Sequence, residues 1–369
     1  MSHMNLKKIM ISLLILIPTL PTQAWSNSTT PRFYSQQTAW QDLQQRFPAD
    51  YQLKPETVPQ EYFWPWRSHQ IHIDHYPNPQ AAAKVILLHG VGTNGRQMTL
   101  VLGHPLAAAG YETIALDLPG YGLTQTSKGK EIVYADWIQA VSDLVDQETA
   151  KDSRPIFLYG LSAGGMLALH VAMQNPRVQG VIGMTFLDQR HKKVKKGTMR
   201  FSAISGISLP SLRLSAKTPL KNIRLPMRWV SKMSLLSNDP QALKIMLADK
   251  TSAGNAMNIR FLNSYLNYQP KHEINAIQHG AVLLTQPEQD HWTPLELSQP
   301  VLDELKVPYQ VVMLPEGGHY PVEAAALAQL KQSTIQFIEQ QLKTEANLEE
   351  VSQSAPIDPV KFPGSELRQ

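Results

Sequence analysis

The chain of 369 residues contains no cysteine. Disulfide bonds, a thiolate nucleophile and a cysteine-ligated metal are therefore excluded. A chain of this length can bury enough apolar surface to fold without disulfide bonds, so their absence does not exclude an extracellular protein. The sequence also lacks the internal period that marks solenoids and propellers. What remains is a globular chain, 43% hydrophobic, with enough apolar residues for a sizeable core.

Acidic residues are absent from one long stretch, Arg190 to Ser237, which carries twelve of the 34 basic residues. The rest of the chain is net negative, although the whole has a formal net charge of +4. Apolar residues are interleaved with the basic ones. This composition favours peripheral contact with an anionic membrane, or a substrate that bears carboxylate or phosphate. A solvated charged face is the alternative. Nucleic-acid binding is not expected, because no recognisable binding motif is present.

The N-terminus has the pattern of a targeting segment. Lys7 and Lys8 precede a short apolar run, and small residues near Ala24 resemble a cleavage site ahead of Trp25. The run is far shorter than the ~20 residues that span a bilayer. We therefore expect a cleaved signal peptide and a periplasmic or extracellular protein, with an uncleaved anchor as the alternative. The first three residues resemble a cloning remnant.

Alternating strand and helix patterns follow, interrupted once by about ninety residues and then resumed. Continuous apolar strands between amphipathic helices predict an α/β fold with a mostly parallel central sheet flanked by helices. The interruption predicts an inserted, mainly helical cap. The predicted divisions are a signal peptide (1–24), a lead-in (25–80), a core in two parts (81–188 and 279–343), the cap (189–278) and a disordered tail (344–369).

A nucleophile motif lies between a predicted strand and a predicted helix. Gly160-Leu161-Ser162-Ala163-Gly164 has the form G-x-S-x-G. A sharp strand-to-helix turn would raise Ser162 above the sheet edge, with Gly160 and Gly164 allowing close backbone approach. The alternative is an ordinary helix-capping serine.

A second glycine-rich loop follows an earlier predicted strand, with the sequence His89-Gly90-Val91-Gly92. An acyl-transfer reaction places negative charge on the former carbonyl oxygen, which needs fixed donors. We predict that the backbone N–H groups of Val91 and Ala163 supply them. His89 is expected to brace the loop rather than to act as a base.

A serine nucleophile needs a base and an orienting carboxylate. His319 follows two glycines after the last predicted strand, and Asp290 follows the preceding strand. Asp188, after an earlier strand, is the alternative acid, and Glu288 is a weaker one. Asp117 is expected to order a loop.

The motifs HGVG, DLPGYG and GLSAGG, the D-x-x-T-P at Asp290 and the G-G-H at His319 follow one another in a familiar order. Together they resemble the α/β-hydrolase superfamily, in its monoacylglycerol-lipase and serine-aminopeptidase-like branch. The resemblance implies the α/β-hydrolase fold, the triad Ser162, Asp290 and His319, and neither a metal nor an organic cofactor.

We therefore predict a serine hydrolase that cleaves carboxylic esters, a carboxylesterase or lipase-like enzyme acting on a small-molecule ester or lipid. A peptidase or amidase with the same triad is the first alternative. The acid-free half of the cap disfavours it, because an aminopeptidase must hold a substrate ammonium group, although Asp239, Asp249 and Glu273 lie in the second half. A non-catalytic binding protein with the same fold is the second.

Overall fold

The computed structural model describes residues 33–200, 209–278 and 280–354. The predicted signal peptide lies outside these residues and stays a prediction. The described chain contains ten strands: β1 (Gln60–Trp66), β2 (His69–Tyr76), β3 (Lys84–Leu88), β4 (Glu112–Leu116), β5 (Ile156–Leu161), β6 (Val178–Met184), β7 (Arg224–Pro226), β8 (Ala256–Asn258), β9 (Ala281–Pro287) and β10 (Tyr309–Leu314).

Eight strands form one sheet in the order β1-β2-β4-β3-β5-β6-β9-β10. The pairs β1–β2 and β2–β4 are antiparallel, and the remaining pairs are parallel. Every residue of β3, β4 and β5 is buried, as expected for strands covered by helices on both faces. The predicted mostly parallel α/β fold is confirmed. The strands β1 and β2, which lie in the predicted lead-in (25–80), join this sheet.

Helices cover the sheet and build the insertion. They are α1 (Ala39–Gln44), α2 (Gly95–Met98), α3 (His104–Ala108), α4 (Tyr134–Lys151), α5 (Ala163–Ala172), α6 (Lys192–Thr198), α7 (Leu209–Ser215), α8 (Met227–Val230), α9 (Pro240–Ala248), α10 (Ile259–Leu266), α11 (Gln299–Glu304) and α12 (Ala324–Ser354). A π-helical turn, Thr99–Gly103, joins α2 to α3. The helix α12 continues to Ser354, well beyond the predicted start of a disordered tail at 344.

The insertion between β6 and β9 contains α6 to α10 and the antiparallel pair β7–β8. Many of its buried side chains, Met227 and Phe261 among them, belong to the same hydrophobic cluster as the sheet. The cap is therefore packed onto the core. Among the described residues, no helix is both long and apolar enough to cross a bilayer.

The parallel topology brings distant residues to one edge of the sheet. His89 follows β3, Ser162 follows β5, Asp188 comes after β6, Asp290 after β9 and His319 after β10. Because parallel strands place their carboxyl ends at one edge, all of these residues lie along the same rim, where ligands bind in open α/β sheets.

A buried ion cluster fixes β1 and β2 against the start of α2. Arg96, only 1% exposed, donates to Asp74 Oδ2 from Nε at 2.6 Å and also pairs with Glu61. Its guanidinium stacks on Tyr34 and Trp40, at 4.9 and 4.6 Å from the ring centroids. Removing one member of such a cluster leaves charge buried without compensation.

We expect Arg96→Met to lower the free energy of unfolding by about 3–5 kcal/mol, because Asp74 and Glu61 lose their cation. The matched control is Arg177→Met, which breaks an exposed pair with Asp146 and should cost about 1 kcal/mol or less. Urea unfolding followed by circular dichroism measures both. Equal losses in the two variants would contradict the role assigned to the cluster.

Candidate active site

Ser162 sits on a strained turn between β5 and α5. Its backbone has φ 57° and ψ −118°, a region that non-glycine residues rarely adopt. Its N–H donates to Met184 O at 2.8 Å. Ser162 occupies the N-cap position of α5, yet its side chain makes no capping hydrogen bond. The hydroxyl is therefore not used as a helix cap.

Two glycines allow backbone segments to approach each other closely at this turn. A Cβ at Gly160 would lie 2.0 Å from Gly164 O, and a Cβ at Gly164 would lie 2.3 Å from Leu88 O. No side chain fits at either position. The turn is therefore held tightly between β3 and β5.

The loop after β3 rests directly on the serine turn. A Cβ at Gly90 would lie 2.8 Å from Leu161 O and 3.0 Å from Ser162 Cβ, and Gly92 has φ 93°. Among the described residues, the N–H groups of Val91 and Ala163 donate to no other protein group. Val91 and Ser162 line the same cavity. Both predicted oxyanion donors therefore flank the serine and are available to a ligand.

His89 holds this loop in place through hydrogen bonds. Its Nε2 accepts from Leu118 N–H at 2.9 Å, so the proton is on Nδ1, which donates to Gly90 O at 2.8 Å. Burial lowers the pKa of His89 and keeps the ring neutral. Because both ring nitrogens are engaged, this histidine braces the loop and has no free nitrogen for proton transfer.

Asp290 and His319 lie in direct contact. The distance from His319 Nδ1 to Asp290 Oδ2 is 2.8 Å. Asp290 Oδ1 accepts the N–H groups of Trp292 and Thr293 at 2.9 and 2.7 Å, and the Thr293 hydroxyl donates to Oδ2 at 2.7 Å. Thr293 has no separate role in the sequence-based prediction, yet its hydroxyl also lies 3.0 Å from His319 Nδ1. The carboxylate is thus held on both oxygens.

Burial raises the pKa of Asp290, but His319 and the Thr293 hydrogen bonds lower it more, to about 2. A folded-state pKa below that of the unfolded chain means that this carboxylate stabilises the fold above about pH 4. The contribution disappears as the pH falls through about 2. At neutral pH the aspartate is therefore ionised and orients the ring of His319.

The second nitrogen of His319, Nε2, is buried and has no hydrogen-bond partner in the described structure. The structure shows no hydrogen bond between His319 and Ser162. Trp292 lies near both residues. Its ring centroid is 4.6 Å from that of His319, and its side chain lines the same cavity as Ser162. Ser162 and His319 are only 3% and 1% exposed. The site is therefore closed to solvent in this conformation.

The alternative carboxylates do not contact His319. Asp188 accepts from Arg190 Nε at 2.8 Å, and Glu288 is exposed. Asp117 accepts the N–H groups of Gly95 and Leu123 at 2.7 and 2.8 Å, which orders the loops around it.

The cavity over Ser162 is mainly apolar. Core and cap both contribute to it, and no carboxylate is among the described residues that line it. The lining side chains are Val91, Leu187, Gln189, Thr198, Met199, Met227, Val230, Ser231, Leu262, Tyr265, Leu266 and Trp292.

A serine on a strand-to-helix turn, with a histidine and an aspartate after later strands, defines the class of α/β-hydrolases. The profile of the serine aminopeptidase S33 family matches residues 79–322. The chain belongs to this family.

Curated relatives cover part of the chain. Phospholipase YtpA of Bacillus subtilis is 27% identical over 156 residues, which are 42% of this chain and 55% of that protein. The monoglyceride lipase of Saccharomyces cerevisiae is 25% identical over 176 residues, 45% of this chain and 55% of that protein. The chain thus spans about half the length of these relatives.

A solved structure is similar to this chain over most of its length. A soluble variant of the Saccharomyces cerevisiae monoglyceride lipase, in complex with a substrate analog, superimposes with a TM-score of 0.64 at 18% identity. The match covers 80% of this chain and 98% of that one. Together with the family match, it supports the α/β-hydrolase fold.

We expect Gly164→Ala to lower the free energy of unfolding by about 1–3 kcal/mol, because the new methyl meets the rigid Leu88 carbonyl. Gly103→Ala is the matched control, since a Cβ there has ordinary contacts at 3.7 Å. Chemical denaturation compares the two variants. An unchanged stability of Gly164→Ala would mean that the turn is less constrained than the structure indicates.

Proposed function

We propose that this protein hydrolyses carboxylic esters through an acyl-enzyme formed on Ser162. The observation that carries the proposal is Ser162 itself: a strained serine, free of any structural role for its hydroxyl, facing an apolar cavity. Active-site residues are the usual reason for a fold to maintain such strain.

In the proposed reaction, Ser162 Oγ attacks the ester carbonyl carbon and His319 Nε2 takes the hydroxyl proton. The carbonyl oxygen becomes negative and accepts hydrogen bonds from the N–H groups of Val91 and Ala163. When the C–O bond breaks, the alcohol leaves with the proton from His319. Water then attacks the acyl-enzyme, His319 takes its proton, and the carboxylic acid is released as Ser162 recovers its hydrogen.

The assignment of an ester rather than a peptide rests on the cavity. A substrate ammonium group needs a carboxylate, and none lines the cavity. The three acids in the second half of the cap are engaged elsewhere. Asp239 caps α9 and pairs with Arg46, Asp249 binds Thr251, and Glu273 pairs with Arg190. An apolar acyl group fits this lining better than a charged residue does.

A panel of p-nitrophenyl esters and aminoacyl anilides tests this proposal. We expect turnover of the esters only, and Ser162→Ala should reduce kcat by about 10⁵-fold or more while the fold is retained. A fluorophosphonate probe should label the parent protein but not this variant. Faster anilide turnover would favour the peptidase alternative. Failure to label the parent would favour a non-catalytic binding protein.

The choice of acid is tested by a second pair of variants. Asp290→Asn should lower kcat by about 10³–10⁴-fold, because the histidine loses the carboxylate that sets its tautomer. Asp188→Asn weakens contacts with Arg190 and His191 and should leave kcat close to that of the parent. Steady-state ester hydrolysis measures both. The reverse ranking would move the acid to Asp188.

We also propose that the cap contacts anionic membranes. Within the described part of the cap, the large exposed apolar residues are Leu214, Leu220, Ile223 and Trp229. They lie within the acid-free basic stretch, so insertion of apolar side chains and attraction of anionic headgroups would act together.

Co-sedimentation with vesicles tests the membrane proposal. Binding should be stronger to anionic than to neutral vesicles and should weaken as salt rises. The double variant Leu214→Ala/Trp229→Ala should bind less, whereas Val311→Ala/Met313→Ala, which removes exposed apolar side chains of β10, should bind like the parent. Equal binding to both kinds of vesicle, unaffected by salt, would contradict the proposal.

A further inference from the structure

A second cavity of about 520 Å³ opens between α6, α7 and α10, apart from the one over Ser162. Four cations line it: Arg190, Lys195, Arg213 and Lys217. The remaining lining side chains are carboxamides, and no carboxylate is among them. We call this cavity the basic cleft.

The charge on Arg190 is already compensated. Its guanidinium lies 2.8 Å from Asp188 Oδ2 and also pairs with Glu273 at 2.5 Å. Lys195, Arg213 and Lys217, in contrast, form no salt bridge with any described residue, and 201–208 contains no acidic side chain that could supply one. Three cations of the basic cleft therefore have no salt-bridge partner in the described part of the chain.

Arg213 is also held in place. Asn267 Oδ1 accepts from Arg213 Nε at 3.0 Å. The Asn267 amide in turn donates to Asn263 O and Oδ1 at 3.0 and 3.1 Å. A guanidinium fixed in this way presents its remaining N–H groups to a planar or tetrahedral oxyanion with little further loss of entropy.

Charges near the cleft affect the pKa of Lys195. Partial burial lowers this pKa, the nearby Arg213 lowers it further, and Asp188 acts in the opposite direction. Cations without salt-bridge partners that line one cavity form a surface that gains stability when an anion enters. Phosphate groups offer the oxygens and the charge that such cations bind best.

We propose that the basic cleft is a binding site for a phosphate group, with Lys195 and Arg213 as its direct contacts. The cleft is far larger than one phosphate, so it also accommodates an organic substituent. Its position matters for the enzyme, because α10 also supplies Leu262, Tyr265 and Leu266 to the cavity over Ser162. The two cavities thus share a helix. The phosphate can belong to a free phosphate ester or to a lipid headgroup.

Isothermal titration of inorganic phosphate into the Ser162→Ala protein tests the site at constant ionic strength. This protein is used so that the result does not depend on hydrolysis. We expect saturable binding, weakened about tenfold or more in Lys195→Gln/Arg213→Gln, because each cation makes a charged hydrogen bond. The control, Lys192→Gln/Lys193→Gln, removes the same charge from two exposed positions of α6, the helix that carries Lys195. Neither position lines the cleft, so this variant should bind like the parent.

Vesicles of phosphatidylcholine with and without phosphatidylglycerol distinguish the sources of phosphate. If cleft substitution and added phosphate both reduce binding to the phosphatidylglycerol vesicles, the ligand is a headgroup. If phosphate titrates the cleft but vesicle binding is unchanged, the ligand is a free phosphate ester. Both results support the site. Undetectable phosphate binding, or equal weakening in the two double variants, would overturn the proposal and leave only a diffuse basic surface.

Discussion

The backbone crossing between the serine turn and the end of β3 is the constraint on which the rest of the site depends. Gly160 and Gly164 bring the turn within contact of the Leu88 carbonyl, and Gly90 brings the next loop onto Ser162. The same close approach that strains Ser162 therefore places the loop of Gly90 and Val91 against it. One steric arrangement positions the serine and both amides, without any side chain having to move.

Buried hydrogen bonds to Asp117 hold the neighbouring loops. Asp117, at the end of β4, receives hydrogen bonds from Tyr34, Gly95 and Leu123. Arg96, the residue after Gly95, forms ion pairs with Asp74 of β2 and Glu61 of β1. The residues before the first parallel strand therefore stabilise the loop at the active site as well as the sheet edge.

Much of this arrangement follows from local sequence. Continuous apolar runs predict β3 and β5, and the glycine pattern predicts the sharp turn at Ser162. Asp290 could be preferred over Asp188 from its place in the chain, and the structure puts it against His319.

Other features depend on contacts between distant segments. The environment of Arg96, the hydroxyl of Thr293 and the ring of Trp292 each take their role from partners that no local pattern specifies. The end of α12 was mispredicted for a different reason. The polar residues after 343 resemble a disordered tail, yet Glu, Ala, Leu and Gln among them are good helix formers.

The indole of Trp292 has a consequence for the proposed reaction. Its N–H donates to Thr198 O in the cap at 3.2 Å, while its ring lies against His319. In the proposed reaction, an acyl chain that reaches Ser162 would have to displace cap side chains such as Met199 and Met227. Because Met199 follows Thr198, this displacement would also disturb the Trp292 ring that packs against His319. Entry of the substrate and orientation of His319 would thus be linked, and a bulky substrate would have to open the cavity with part of its own binding energy.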